Sequence, residues 1–458
     1  MQERADLAPT EINADLLGFV LRTPRWFWIA LAALAVLVGA GVVTEAVMTV
    51  VGLQILGLTN VQYWAVLITN FIFWVGISHA GVMISAVLRL THAEWRRPIT
   101  RSAEVLAIFA LVTAALFPLI HTGRIWRTTY WVFPYDFTRG IWPDVRSALI
   151  WDPSAIVTYL TGTILFVYVD LIPDLAIARD RSSGWRRGLY GLLSMGFRGT
   201  ARQWRVQAVA GILLAALILP VFVSVHSIVA WDLSMAILPG WHTTVLAPYF
   251  VMGAVHSGVA GVVTVMCVLR WALGLRAYIR PQHLDTIGRV QIVVWFGYLF
   301  FFLLDFYFGL ASRDPVEERI WELRLLSFPT NLLMAIQVLT ALIIPLPILF
   351  VQRWRRSPLV MLLVSIGINI GMWLERYILV VTPLSYKQPF VFTWVETYQP
   401  RLAEYAFTLA AFALVAAGLL VFAKVLPIVP LWEVKEGQVV RRSLRVGRRE
   451  IVAAVHEE

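Results

Sequence analysis

The feature that most constrains this chain is a series of ten long apolar stretches almost free of charge. About 20 residues at ~1.5 Å each cross the hydrocarbon of a bilayer as a helix, which satisfies its own backbone polar groups where no water can. The stretches run roughly over 27–52, 63–88, 104–121, 154–178, 206–230, 245–269, 290–311, 326–350, 359–382 and 403–423. They leave little room for anything else. Hydrophobic residues make up 59% of the chain and charged residues 14%, whereas soluble domains carry about a quarter. The expected fold is an all-α membrane protein of about ten transmembrane helices. Residues 1–25 form an N-terminal segment, 26–425 the membrane domain and 426–458 a polar tail.

The net charge of +10 would suggest a nucleic-acid partner in a soluble protein. Here its distribution gives a simpler reading. Lys and Arg gather in the N-terminus, the even-numbered loops and the tail, about three to one over the odd-numbered loops. That bias predicts a bacterial inner-membrane protein with both termini in the cytoplasm. The first 25 residues lack the basic start, apolar core and small-residue cleavage site of a signal peptide. Trp26, Trp28, Tyr63, Trp64, Trp151, Trp231 and Trp241 stand at span ends, as interfacial aromatic belts do. The longest outer loop, 122–153, is rich in Trp, Tyr and Pro and reads as a surface that packs on a partner. The one cysteine, Cys267, lies in an apolar run. It rules out a disulfide within the chain, a C-x-x-C-H haem attachment and an iron–sulfur cluster held by this chain.

An internal repeat organises the spans. Span 2 contains Phe73-x-x-Gly76-x-x-His79-x-Gly81, and span 6 contains Phe250-x-x-Gly253-x-x-His256-x-Gly258. Four spans separate their starts, so both helices run in the same direction. The expectation is two parallel four-helix bundles, spans 2–5 (63–230) and 6–9 (245–382), flanked by spans 1 and 10. The small residues at this spacing allow close helix approach.

Ionisable groups within the spans cost at least ~2.5–3.5 kcal/mol each on insertion scales, and are functional candidates by default. Here they are His79, Asp170, His226, His256, Asp305 and the adjacent Glu375 and Arg376. Either histidine could simply donate to a carbonyl across a helix contact. Asp305 could accept from a hydroxyl, and Glu375 and Arg376 could each pair with another helix. Their number, six or more in one bundle of helices, favours proton movement or polar binding over separate structural roles.

A second cluster lies at the outer surface. Span 3 ends Phe117-Pro118-Leu119-Ile120-His121-Thr122-Gly123-Arg124, and span 4 opens Trp151-Asp152-Pro153. Asp before Pro is a good helix N-cap, and a C-terminal His suits the helix dipole. Together, though, an imidazole and a carboxylate beside Arg124 suit a carrier that releases two protons with two electrons. A quinol must give its hydroxyl protons to positioned bases. Trp74, Trp126, Tyr130 and Trp131 could sandwich its ring.

With these motifs the chain resembles the NrfD/PsrC family of quinone-interacting membrane subunits. Within it the likeness is greatest to the ActC subunits of bacterial alternative complex III, with later motifs shared by the sister ActF subunits. The residues behind this are 70–81, 117–124, Leu149-Ile150-Trp151-Asp152, Leu171-Ile172-Pro173-Asp174-Leu175 and Ser224 to Asp232, followed by Pro239-Gly240-Trp241-His242. The resemblance implies two four-helix bundles and menaquinol oxidation on the outer side of spans 2–5. Electrons would pass to a periplasmic iron–sulfur subunit and then to multihaem cytochrome c, beside a second NrfD-like membrane subunit. The expected catalytic groups are His121, Asp152, Arg124 and His79. Trp74, Ser78, Gly81 and Tyr130 are expected to wall the quinol pocket. Proton translocation is implied too, with Asp170, His226, Asp232, His256, Asp305, Glu375 and Arg376 as candidates. The competing readings are a structural or proton-path subunit without a quinone site, the anchor of a polysulfide-type reductase, and a secondary transporter.

Overall fold

The computed structural model describes residues 9–128, 140, 146, 148–236, 238–386, 398–439, 443–446 and 449–452. Ten helices among them are long and apolar enough to cross a membrane. They are span 1 (Arg25–Val51), span 2 (Val66–Leu90), span 3 (Thr100–His121), span 4 (Ala148–Asp180) and span 5 (Ala201–Ser234). Span 6 (Leu246–Ala272), span 7 (Pro281–Ala311), span 8 (Thr330–Phe350), span 9 (Pro358–Leu384) and span 10 (Leu402–Val425) follow. Local chemistry starts several of them. Thr200 caps span 5 by accepting from the Gln203 N–H, and the Gln203 side chain accepts in return from the Thr200 N–H. Spans 7 and 9 open on Pro281 and Pro358, whose missing N–H costs nothing in a first turn.

Spans 2–5 pack on one another, as do spans 6–9, and the two groups meet chiefly where span 2 lies against span 6. Span 1 packs almost wholly on span 10, and that pair leans on spans 2 and 3. Span 2 is the hub. Every residue from Val66 to Ala86 except Met83 is buried. Outward-facing side chains of span 1, such as Ile29, Val36 and Val50, are exposed and apolar, as a lipid-facing surface requires.

The repeated motif sits at the join. A Cβ at Gly258 would collide with Ala80, and one at Gly76 would come within 3.4 Å of the Ala254 Cα. Gly81 meets the Ala103 carbonyl of span 3 in the same way. Absent side chains thus let three backbones approach, where dispersion contacts replace the missing hydrophobic drive of a lipid solvent.

Span 8 contains a wide turn over Leu339–Ile343. Pro345 has no N–H to offer the Ala341 carbonyl one turn back. That carbonyl accepts instead from His256 Nε2 at 3.2 Å, and the Leu342 carbonyl accepts from Trp295 Nε1 at 3.1 Å. The irregular turn is held by side chains of spans 6 and 7.

Among the described residues, α-helices outside the spans include Pro9–Leu21, Gly184–Leu193, Pro315–Leu326, the single turn Gln352–Arg355 and Leu431–Val439. The tail expected to be simply polar docks instead. Glu433 is fully buried beneath the first bundle, where Arg96 holds it at 2.6 Å and Arg89 at 3.3 Å. The Leu431 and Trp432 N–H groups donate to Asp174 of span 4 at 3.1 and 3.0 Å. A short antiparallel hairpin, Ser443–Val446 with Arg449–Val452, follows.

Candidate functional site

Two ends of the first bundle need names. Spans 2 and 4 start, and spans 3 and 5 finish, at what we call the His121 end. The opposite end is the arginine end, after Arg89 and Arg101.

A pocket of about 200 Å³ opens at the His121 end. His121, Asp152 and Asp232 are its ionisable lining, and Trp64, Ile72 and Val229 are among its apolar walls. Three helices supply the three ionisable groups. His121 is the last residue of span 3, Asp152 lies in the first turns of span 4, and Asp232 lies in the last turn of span 5. The Asp152 and Asp232 carboxyl groups lie within hydrogen-bonding reach of each other. Ionised carboxylates only accept, so a bond between them would need one of the pair to carry a proton. One oxygen of each, Asp152 Oδ1 and Asp232 Oδ1, is buried without a partner, and so is His121 Nδ1. The pocket is thus lined by two neighbouring carboxyls and an imidazole, whose unpaired Oδ1 and Nδ1 atoms are themselves buried in this structure. Beside it Trp151 and Trp231 meet edge to face at 6.2 Å, and Trp64 stacks on Trp241 at 5.6 Å.

Below the pocket the bundle interior stays polar. His79 stacks flat on Tyr159 at 4.5 Å and meets His226 edge to face at 4.9 Å. Its Nδ1 lies 2.5 Å from the Val75 carbonyl, which makes Nδ1 the protonated nitrogen, while Nε2 is buried and unpaired. Neither nitrogen of His226 has a well-formed hydrogen bond. Tyr159 donates to the Ser78 carbonyl at 3.2 Å.

At the arginine end the charges are paired. Asp170 bonds Arg89, and Arg101 Nη2 bridges it at 3.0 Å. Arg101 also holds Asp174, and Glu104 accepts from the Ser85 hydroxyl. From Asp152 to Asp170 span 4 rises about 27 Å, close to the thickness of the hydrocarbon. Polar groups thus mark both ends and the middle of the first bundle.

The second bundle distributes its polar groups differently. His256 is satisfied on both nitrogens, since Nε2 donates to the Ala341 carbonyl and Nδ1 accepts from Gln291 Nε2 at 2.8 Å. It stacks on Tyr298 at 5.0 Å. Glu375 and Arg376 pair with each other at 3.2 Å, because the long guanidinium stem folds back across the ~100° between sequence neighbours. Arg376 also reaches span 6 through the Phe250 carbonyl at 3.3 Å, and Glu375 lines one small pocket with Tyr249 of that span. Asp305 faces not a hydroxyl but Arg324, at 3.6 Å, from the helix between spans 7 and 8.

Several expected pocket residues lie elsewhere. Trp74 turns to the opposite face of span 2, where it meets Phe412 of span 10 at 4.8 Å. Ser78 caps back onto the Val75 carbonyl at 2.7 Å, and Gly81 faces span 3. Helical geometry explains this: Ile72 and His79 share the pocket-side stripe of span 2, whereas Trp74, Ser78 and Gly81 point away from it. Arg124 is half-buried above the pocket, with its guanidinium 6.0 Å from the Trp126 ring. Tyr130 and Trp131 lie outside the described residues.

Sequence reasoning placed Asp232 on a proton path rather than in the pocket. The signal was there: Trp151-Asp152 and Trp231-Asp232 are the same dipeptide at adjoining ends of neighbouring spans. Arg89, Arg101, Glu104 and Glu433 were missed because a charged loop end looks like ordinary sidedness. No group of three or more His, Cys, Asp or Glu residues positioned to hold a metal ion occurs among the described residues.

A membrane protein of ten apolar helical spans, with an acid–base pocket at one end of its first bundle, is the class these features define. The family described as "Polysulphide reductase, NrfD" matches residues 54–385, well over half of the chain. The chain belongs to the NrfD family of integral membrane proteins. It is also similar to a putative membrane subunit of dimethyl sulfoxide reductase from Halobacterium salinarum, with 26% identity over 243 residues. That match covers 53% of this chain and 51% of the relative, so the chain spans about half the length of the curated relative it matches.

Proposed function

We propose that this protein is the quinone-coupled membrane subunit of an oxidoreductase complex, and that quinol is oxidised in the pocket of His121, Asp152 and Asp232. The observation that carries this is the set of unpaired buried acceptors there, in a pocket walled by apolar and aromatic side chains. A volume of about 200 Å³ admits the ring of a quinol and leaves its tail to the lipid. One quinol hydroxyl proton goes to His121 Nδ1. The other goes to the Asp152–Asp232 pair, which already shares one proton and has acceptor capacity for another. The two electrons leave to an iron–sulfur partner docked at the His121 end. Nothing in this chain needs to hold a metal for that step.

In its finer form the reading is menaquinol oxidation in an inner-membrane complex of the alternative complex III kind. The His121 end would face the periplasm and both termini the cytoplasm. The partners would be an iron–sulfur subunit, a multihaem cytochrome c subunit and a second NrfD-like membrane subunit. Proton movement belongs to the same proposal. His79 and His226 stand between the pocket and Asp170 in the first bundle, and Asp305, Glu375, Arg376 and His256 form the set in the second. The name of the archaeal relative favours one other arrangement, in which the same pocket supplies electrons to a reductase of the dimethyl sulfoxide or polysulfide type.

Quinol:acceptor turnover by the intact complex tests the assignment. His121→Ala and Asp152→Asn should each lower kcat by about 10²–10⁴, the usual worth of a positioned acid–base group, while the assembled complex is still recovered. Turnover within a factor of two of wild type in both variants would remove the pocket from the mechanism.

A further inference from the structure

The loop between spans 4 and 5 turns at the arginine end. Residues 179–205 carry seven arginines and a single acid, Asp180, which Arg179 holds at 2.8 Å. Within this loop lies the helix Gly184–Leu193. One of its faces is docked. Tyr190 is 3% exposed, and its hydroxyl donates to the Val425 carbonyl at the end of span 10, at 2.7 Å. Another face is bare and apolar. Trp185, Leu189 and Leu192 stand at i, i+4 and i+7, one stripe of the helix. Trp185 is 74% exposed and Leu192 77%. A short helix joining two span ends, with such a stripe and a basic flank, lies where headgroups meet acyl chains.

Beside the stripe two cations converge on one neutral atom. Arg186 Nη1 and Lys424 Nζ both donate to the Val20 carbonyl, at 3.4 and 2.8 Å, and Lys424 donates also to the Phe19 carbonyl at 2.8 Å. These carbonyls belong to the last turn of the helix Pro9–Leu21. Capping a helix C-terminus accounts for one cation, but not for two. The terminus carries about half a negative charge, against two full positive ones. Among the described residues no carboxylate pairs with Arg186 or Lys424, and Arg22 and Arg25, exposed just beyond that helix, add to the charge. Arg186 and Lys424 are half-buried rather than sealed, and each keeps N–H donors beyond those used here.

We propose that Arg186 and Lys424 bind the headgroup of an anionic phospholipid, whose acyl chains lie along Trp185, Leu189 and Leu192. Its phosphodiester accepts from the guanidinium and the ammonium together and supplies the negative charge that the protein leaves out. A zwitterionic lipid brings its own cation and gains less. A free phosphate would leave the apolar stripe bare. One headgroup bound here joins three segments: the helix before span 1, the end of span 10 and the loop between spans 4 and 5. The site is built from this chain alone and is independent of the function proposed above.

The test is native mass spectrometry of the purified protein, with whatever subunits accompany it, titrated with phosphatidylglycerol and with phosphatidylcholine of the same acyl chains. Wild type should bind phosphatidylglycerol in preference. Arg186→Gln/Lys424→Gln keeps a side-chain donor for each carbonyl and removes both charges. Its tightest phosphatidylglycerol affinity should fall about 25-fold, roughly fivefold for each charge, with phosphatidylcholine unchanged. A nitroxide on Leu192→Cys, in a Cys267→Ala background, reads the stripe in vesicles and needs no loss of charge. It should be more accessible to oxygen, which partitions into lipid, than to a water-soluble nickel chelate. Equal binding of the two lipids by wild type overturns the inference, as does a preference that survives the double variant. Inorganic phosphate that displaces the phosphatidylglycerol assigns the cations to a soluble anion and overturns it too. A nitroxide that favours the nickel chelate puts the stripe in water, with the same consequence.

Discussion

The Asp152–Asp232 pair is where single atoms decide the chemistry. Two carboxyls in contact cannot both be ionised without strong repulsion, so they share a proton. Asn reproduces the protonated partner in shape and still donates. Asp232→Asn should therefore keep the pair's hydrogen bond and the fold, with thermal stability within about 1 kcal/mol of wild type. It removes an acceptor, so quinol turnover should fall at least tenfold, the low end of what a proton-transfer group supplies. Equal losses of stability and turnover in that variant would mean that the pair is merely structural. His256 is the contrasting case. Both of its nitrogens are already bound, to Ala341 and Gln291, and it holds open the irregular turn that Pro345 imposes. His256→Phe leaves the Ala341 carbonyl without its side-chain donor and the Gln291 amide with only its bond to the backbone carbonyl of residue 256. It should cost about 1–3 kcal/mol in thermal unfolding in detergent, whereas His226, with no well-formed bond on either nitrogen, has little of that kind to lose.

At the scale of elements, the ten spans were legible in the sequence because period and length suffice in a bilayer. The observed ends differ from the expected ones mainly where helices extend past the hydrocarbon, as at Asp180 and Ala201. The outer pair His121 and Asp152 was legible from the hairpin that joins spans 3 and 4. What was not legible is which face each helix turns inward. Trp74 and His79 stand in one motif, yet Trp74 meets Phe412 of span 10 while His79 stacks on Tyr159 of span 4, because five residues along a helix put them about 140° apart. The docked tail was hidden for a different reason. Glu433 sits in a charged segment, and only tertiary contacts reveal that Arg89 and Arg96 bury it. Glu433→Ala should release the tail at a cost of about 2 kcal/mol, less than a fully buried pair because Arg96 keeps some exposure and Arg89 retains Asp170. Protease cleavage after residues 431–442 reads this out: wild type should be protected and the variant cut, and equal cutting of both would contradict the docking. Gly258→Leu tests the join between bundles. It drives a side chain into Ala80 and should cost upward of about 3 kcal/mol, seen as loss of folded protein in detergent.

Taken whole, the molecule places acid–base chemistry at one end and a sealed cluster of ion pairs at the other end. That division fits the proposed subunit, which handles a membrane-soluble carrier and hands its electrons to a neighbour. The Trp-rich loop after His121 follows directly on the pocket, where such a neighbour would dock. The most direct test is to purify the native complex in mild detergent, identify its subunits and quinone by mass spectrometry, and record its redox spectra before and after adding quinol. The account predicts a co-purifying iron–sulfur subunit and bound quinone, with clusters that quinol reduces in wild type but not in the His121→Ala/Asp152→Asn variant. A chain that purifies alone, colourless and free of quinone would contradict it.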